Sequence, residues 1–146
     1  MEITEYVSDL HKKQVHELWE SVFYYDDKTC CDIDSHIDYI IDDASSVESA
    51  SLFVAVDSDK VLGTVAVAEH GCNSSVIYML AVDEDYRGRG IGCALLNYAE
   101  KYIKDNGIYN ITLFTKQHNI GFFNKAGYSS SEYIEMNKKL STEHIA

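Results

Sequence analysis

The first third of the chain carries apolar residues spaced as they are on one face of a helix. From Lys12 onward, the pattern i, i+3, i+4, i+7 and i+8 is filled by Val15, Leu18, Trp19, Val22 and Phe23. This spacing predicts an amphipathic helix, which Ser8 or Asp9 would cap. A second helical stripe follows and consists of Ile33, Ile37, Ile40 and Ile41.

Shorter apolar runs predict strands. Glu2–Val7 alternates well enough for a first strand, and Ser51–Val56 and Val61–Ala68 flank the polar turn 57–60. Two such runs around a short polar turn predict an antiparallel hairpin. Val76–Val82 then predicts a further strand of the same sheet.

The second half of the chain returns to helical spacing from Ile91 to Ile103, with a stop signal at Asn106-Gly107. A strand (Ile111–Thr115), a short helix (Ile120–Lys125) and an extended segment from Tyr128 to about Leu140 would follow. The order β-α-α-β-β-β-α-β-α-β indicates a mixed sheet in an α/β (α+β) fold. With 146 residues and no proline, residues 1–146 are expected to form a single domain.

Composition and charge narrow the function classes. Asp and Glu number 24 against 12 Lys and Arg, which gives a net charge of −12. This charge argues against nucleic acid as a partner, because its binding depends on cationic patches. The N-terminus lacks the features of a signal peptide, and the longest apolar run is too short to cross a bilayer. We therefore expect a cytoplasmic protein with no membrane partner.

The cysteines and histidines do not suggest a disulfide framework or a metal site. Cys30 and Cys31 are adjacent, Cys72 and Cys93 lie far apart, and no Cys-x-x-Cys spacing occurs. We expect free thiols and no metal.

The chemistry-bearing segment follows the strand Val76–Val82. Arg87 and Arg89 are the only arginines of the chain, and they alternate with three of its eight glycines, Gly88, Gly90 and Gly92. A strand, a glycine-rich turn and a helix start point backbone N–H groups toward an anion such as phosphate. A P-loop is excluded because Cys93 and Ala94 stand where Lys and Ser/Thr are needed, and no Gly-x-Gly-x-x-Gly match exists.

A third pattern fits in full: Leu80-Ala81-Val82-Asp83 followed by Arg87-Gly88-Arg89-Gly90-Ile91-Gly92. With it, the segment Asn119–Tyr128 and the order of elements, the chain resembles the GNAT superfamily of acyl-CoA N-acetyltransferases. The resemblance implies a mixed, mostly antiparallel sheet that is splayed at its central strands and has helices on both faces. It also implies transfer of an acetyl group from acetyl-CoA to a primary amine, by direct attack and without a metal.

The resemblance further implies roles for particular residues. The backbone N–H of Leu80 would polarise the thioester carbonyl. The cofactor-binding residues would be Leu80, Ala81, Val82, Arg87, Gly88, Arg89, Gly90, Ile91, Gly92, Asn119 and Phe123. Specificity for the amine would come from the acceptor side, which in the family borders the region of the acidic stretch 26–48. This stretch is explained either by a cationic small molecule or peptide as acceptor or by a solvated acidic surface. A homodimer paired through the C-terminal strands is a further expectation.

The chain departs from the family pattern at the positions that handle protons. Phe123 stands where many relatives have a tyrosine acid, and Phe114 or Val76 where some have a glutamate base. Substitutes suggested by position are Tyr78, Tyr128, Glu69, His70 and His118. These losses leave an alternative open, an acyl-CoA-binding sensor or regulatory module with little turnover. A third hypothesis is a phosphate- or nucleotide-binding regulatory domain.

Overall fold

The computed structural model describes residues 1–23, 50–71 and 73–141. Its helices and strands, in chain order, are β1 (Glu2–Glu5), α1 (Ser8–Phe23), β2 (Ala50–Asp57), β3 (Lys60–Glu69), β4 (Ser74–Val82), α2 (Ile91–Asp105), β5 (Asn110–Leu113) and α3 (Ile120–Lys125). The chain forms two compact units, Met1–Phe114 and Thr115–Ala146. The first unit contains every strand named above together with α1 and α2.

The strands of the described ranges form one open sheet in the order β1-β2-β3-β4-β5. The first three neighbouring pairs are antiparallel, and β5 lies parallel to β4. The parallel pair is possible because α2 carries the chain back across the sheet before β5 begins. The mixed, mostly antiparallel sheet predicted from the sequence is confirmed.

The hairpin between β2 and β3 follows the predicted turn. Ser58 and Asp59 have φ angles of 48° and 68°, the left-handed conformation that both central residues of a two-residue type I′ turn require. Short polar residues tolerate this conformation at a chain reversal better than branched apolar ones do.

Helices cover both faces of the sheet. On one face, Val15, Leu18 and Trp19 of α1 pack into a buried cluster with Leu52 and Val54 of β2. On the other face, Phe53 makes edge-to-face contacts with Tyr98 and Tyr102 of α2, at centroid distances of 5.0 Å. Since neighbouring strand residues point to opposite faces, consecutive apolar residues of β2 serve the two helices in turn.

Gly63 of β3 lets α2 approach the sheet closely. A Cβ atom at this position would lie 2.7 Å from the carbonyl oxygen of Ala81 and 2.8 Å from Cδ1 of Leu95. We expect Gly63→Ala to lower the free energy of unfolding by about 1–3 kcal/mol, because the backbone of β4 has to shift. Urea denaturation followed by circular dichroism measures this change.

Gly121→Ala in α3 is the control, since a Cβ there meets nothing within 4 Å. Equal stabilities of the Gly63→Ala variant and the wild-type protein would contradict the close approach.

Helix α1 begins earlier than its apolar stripe and is capped differently from the prediction. It starts at Ser8, so neither Ser8 nor Asp9 precedes the first turn. Instead, the backbone N–H of Val7 donates to Nδ1 of His11 at 2.9 Å, and the N–H of His11 donates to the carbonyl of Val7. Burial lowers the pKa of His11, which favours the neutral ring that this acceptor role needs.

The second unit contains a 3-10 turn (Gln117–Asn119) and α3 among its described residues. The predicted extended strand from Tyr128 to about Leu140 is wrong, because no described residue after Lys125 lies in a helix or strand. A strand needs a neighbour for its backbone groups, whereas Tyr133, Ile134, Met136 and Leu140 are 74–89% exposed. The predicted helix at Ile33–Ile41 lies outside the described residues.

Candidate functional site

The glycine-rich segment forms a tight connection between β4 and α2. Asp83 opens it by accepting a hydrogen bond from the backbone N–H of Asp85 at 2.9 Å, which caps the 3-10 turn Glu84–Tyr86. Gly88 and Gly90 then adopt φ angles of 79° and 80°. This left-handed conformation is strained for residues with a side chain, so the two glycines determine how the chain enters α2.

The N-terminus of α2 is open to solvent. Gly90 is its N-cap and supplies no side-chain bond, and the first intrahelical bond runs from the N–H of Ala94 to the carbonyl of Gly90 at 3.0 Å. The preceding N–H groups, at Ile91, Gly92 and Cys93, have no carbonyl within the helix to pair with. Together with the exposed residues 87–90, they form a surface that favours an anion.

Three cationic side chains surround this connection. Arg87 donates from Nε to the carbonyl of Val82 at 3.3 Å. Lys60 and Arg89 both contact the ring of Tyr86, with Nζ at 4.6 Å and Cζ at 4.9 Å from its centroid. A hydrogen bond to Tyr86 raises the pKa of Lys60 above its ordinary value.

Sequence reasoning missed Lys60. It is 26 positions before Tyr86 in the chain, and only the antiparallel pairing of β3 with β4 brings the start of β3 to the end of β4. No spacing rule within the sequence links the two positions.

Strands β4 and β5 separate halfway along β4. Their parallel pairing runs from Ser74 opposite Asn110 to Ile77 opposite Leu113. In the described residues, β4 continues to Val82 without a partner on that side. The predicted splay is therefore confirmed, and it leaves one edge of residues 78–82 open.

A bulge marks the point of separation. The β3–β4 register shifts between Thr64 and Ala66, so that Met79 and Leu80 both lie opposite Val65. Met79 has a φ angle of 51°, which is uncommon for a residue with an unbranched apolar side chain. Such an extra residue bends a strand and re-aims its backbone groups.

The buried side chain of Thr64 lies beside this bulge. Its Oγ1 accepts a hydrogen bond from Nε1 of Trp19 at 2.9 Å and donates to the carbonyl of Met79 at 2.8 Å. Both Thr64 and Trp19 are fully buried, which confirms Trp19 as a core residue. Sequence reasoning missed Thr64, because one threonine within an apolar strand carries no motif.

The structure brings together most of the predicted cofactor-binding residues. Leu80, Ala81 and Val82 lie on the open part of β4, and Arg87–Gly92 directly follow, all within the first unit. Asn119 and Phe123 belong to the second unit, where Asn119 precedes α3 and the ring of Phe123 contacts Phe122 and Tyr128. Their predicted role toward the cofactor stays a prediction.

The candidate proton-handling residues are dispersed. Tyr78 is half-buried against the α1 cluster, one residue before the bulge. Glu69 and His70 lie at the other end of the sheet, where Glu69 pairs with Ser75. Five residues of strand separate Ser75 from Leu80, about 17 Å, so the structure does not place Glu69 or His70 beside Leu80. Phe114 is 66% exposed just after β5.

Several other expectations concern residues that are described only in part. Cys93 is a free, exposed thiol, whereas Cys30, Cys31 and Cys72 lie outside the described residues, as does the acidic stretch 26–48. Within residues 1–23, 50–71 and 73–141, no group of three or more potential metal-ligating side chains is found. In the same ranges, no helix is long and apolar enough to span a bilayer.

Comparisons with known proteins point to one family of acetyltransferases. The model of the acetyltransferase (GNAT) family matches residues 12–128. An uncharacterized N-acetyltransferase of Chlorobaculum tepidum is 35% identical over 80 residues, which are 55% of this chain and 50% of that protein. The chain thus spans about half the length of this curated relative.

Solved structures share the fold at low sequence identity. Glucosamine-6-phosphate N-acetyltransferase from Arabidopsis thaliana has a TM-score of 0.76 at 21% identity, over 96% of this chain and 98% of that one. A predicted acetyltransferase from Clostridium acetobutylicum, solved with acetyl-CoA, has a TM-score of 0.75 at 16% identity, over 93% and 95%. With the family model covering most of the sequence, the chain belongs to the GNAT family of acetyltransferases.

Proposed function

We propose that the protein binds acetyl-CoA and transfers its acetyl group to a primary amine. The observation that carries this proposal is the open N-terminus of α2, entered through left-handed Gly88 and Gly90, directly after an open strand edge. The N-terminus of α2 can bind a phosphate group through its free N–H groups. The open edge of β4 can form hydrogen bonds with a chain of amides. Family membership and the acetyl-CoA-bound structural relative support the same ligand.

The pyrophosphate of acetyl-CoA would accept hydrogen bonds from N–H groups between Gly88 and Gly92. Arg87 and Arg89 would add charge-assisted contacts, and Lys60, held beside Arg89 by Tyr86, would contribute a third positive charge. The pantetheine arm would then run along residues 80–82 of β4.

The direction of the Leu80 N–H follows from the β3–β4 ladder. The N–H of Asp83 donates to the carbonyl of Leu62 at 2.8 Å, and Ala81 lies opposite Thr64 two residues earlier. In an antiparallel ladder, alternate residues bond to the same neighbour. The backbone groups of Leu80 and Val82 would therefore face the open edge, where Leu80 can donate to the thioester carbonyl.

The reaction would proceed by direct attack. The nitrogen of a neutral amine forms a bond to the thioester carbon, and the developing oxyanion is stabilised by the N–H of Leu80. The C–S bond then breaks, the thiolate of coenzyme A leaves and takes a proton from a tyrosine hydroxyl or from solvent, and the amine nitrogen loses its extra proton to solvent. Proximity of the two bound reactants would provide much of the acceleration.

The loss of a tyrosine and a glutamate from the usual positions would slow but not abolish this chemistry. A thiol with a pKa of about 8.5 is a good leaving group, so a missing general acid or base costs about 10²–10⁴-fold in rate. Tyr78 and Tyr128 remain candidates for the acid, and a cationic amine remains the proposed acceptor class.

A thiol-release assay with acetyl-CoA and a panel of amines tests the proposed activity. We expect release well above the hydrolysis rate for at least one amine, with polyamines, aminoglycoside-like compounds and lysine-rich peptides as the first choices. The full chain without added amine is the control.

Tight binding of acetyl-CoA without turnover on any amine would instead favour the second candidate, an acyl-CoA-binding module. Phe114 and Phe123 motivate that candidate, because neither side chain can exchange a proton. Competition by ATP at an affinity similar to that of coenzyme A would point to a nucleotide-binding domain.

A further inference from the structure

We propose that Thr64 is a positioning residue for acyl transfer, because its hydroxyl holds the β4 bulge that aims the N–H of Leu80 at the thioester. This inference rests on the proposed function. Thr64 lies on β3, behind the open edge of β4, and is fully buried. It would therefore act through the backbone of Met79 and Leu80 and would not touch the substrate.

The two hydrogen bonds of Thr64 have only one possible direction. The indole N–H of Trp19 can only donate and the carbonyl of Met79 can only accept. The hydroxyl of Thr64 therefore receives the bond from Trp19 and gives its single hydrogen to Met79. Trp19 thus orients the hydroxyl, and the hydroxyl orients the carbonyl.

The bulge needs such a partner. Met79 is held at a φ angle of 51°, and strained backbone of this kind persists only where its surroundings impose it. The register shift at this point interrupts the ladder between β3 and β4, and the hydroxyl of Thr64 donates a hydrogen bond to the carbonyl of Met79 there. Without that bond, this partly buried acceptor would lose its hydrogen bond from Thr64.

The hydrogen bond from Thr64 to Met79 affects the thioester through a single peptide group. The carbonyl of Met79 and the N–H of Leu80 belong to the same planar unit, so they point in opposite directions. Fixing the carbonyl toward Thr64 fixes the N–H toward the open edge. An oxyanion donor is effective only when it is pre-positioned. Helix α1 contributes to this positioning, because its residue Trp19 orients the hydroxyl of Thr64.

The test compares Thr64→Val, which keeps the shape and removes the hydroxyl, with Thr64→Ser, which keeps the hydroxyl. We expect Thr64→Val to lower kcat about 10–100-fold, a range below the loss of a whole oxyanion donor. Its affinity for acetyl-CoA, measured by calorimetry, should change less than about threefold, because the loop at Gly88–Gly92 is untouched. Thr64→Ser should restore kcat to within about threefold of the wild-type value.

Tyr102→Phe is the matched control. It removes another partly buried side-chain bond, between the hydroxyls of Ser51 and Tyr102 at 3.0 Å, at a distance from the bulge. We expect kcat to stay unchanged in this variant. An equal loss of kcat in Tyr102→Phe, or an unchanged kcat in Thr64→Val, would overturn the positioning role.

A spectroscopic readout separates this inference from the proposed activity. In the wild-type protein, addition of acetyl-CoA should change the amide chemical shifts of both Leu80 and Gly90. In Thr64→Val, acetyl-CoA should still change the shift of Gly90 but no longer that of Leu80. If these NMR changes are seen but no amine is acetylated, the positioning role of Thr64 is supported and the proposed acetyltransferase activity is contradicted. A Leu80 shift that persists in Thr64→Val would reject the role of Thr64. If Thr64→Val does not fold, Trp19→Phe, which removes the indole N–H that orients the hydroxyl of Thr64 together with part of the buried ring, is measured in the same way.

Discussion

Replacing Gly90 by glutamate is expected to weaken acetyl-CoA binding by about 100-fold or more. Two effects act together. Gly90 has a φ angle of 80°, which a residue with a side chain adopts only under strain, and the new carboxylate would lie beside the bound pyrophosphate. Like charges about 4 Å apart repel by about 4 kcal/mol near a protein surface. Isothermal titration calorimetry with acetyl-CoA measures the effect.

Gly107→Glu provides a matched control for this variant. Gly107 also has a φ angle of 80° and open space around its Cβ position, but it follows the C-terminus of α2, at the opposite end of the helix from Gly90. The Gly107→Glu variant should be destabilised about as much as Gly90→Glu but should bind acetyl-CoA with the wild-type affinity. Unchanged affinity in Gly90→Glu would show that the anion site is wrongly assigned.

Phe53→Ala is expected to lower the free energy of unfolding by about 3–5 kcal/mol. Phe53 is 1% exposed and makes two edge-to-face contacts, with Tyr98 and Tyr102. Truncation would remove the main aromatic contact between β2 and α2 and leave a cavity. Since domains of this size are stable by only about 5–15 kcal/mol, the loss should be evident in urea denaturation.

Two further variants make the stability measurement specific. Phe53→Leu fills much of the same space and should cost less than Phe53→Ala. Tyr109→Ala removes an aromatic ring that is 71% exposed and should stay within about 0.5 kcal/mol of the wild-type protein. Similar losses in Phe53→Ala and Tyr109→Ala would contradict the proposed core contact.

The successful predictions from sequence share a local origin. The α1 stripe, the β2–β3 turn and the glycine-rich entry to α2 each depend on residues that are close together in the sequence. Period, turn chemistry and the conformational freedom of Gly88 and Gly90 are properties of neighbouring residues. They can therefore be read without knowing the fold.

The failures have the opposite origin. The predicted strand after Tyr128 had suitable apolar residues, but strand formation depends on a partner elsewhere in the chain. By residue type Glu69 and His70 are suitable bases, but the β3–β4 register places them about 17 Å along the strand from Leu80. Residue type alone does not determine position across a sheet.

By itself, the sequence determined the family, the order of most elements and the loop between β4 and α2, because these depend on local patterns and a contiguous motif. Only the tertiary structure placed Lys60 beside Tyr86 and Arg89, and Thr64 between Trp19 and Met79. Both groupings join residues separated by 15 to 45 positions. They arise from strand register and from the packing of α1 on the sheet, which are set by the folded chain as a whole.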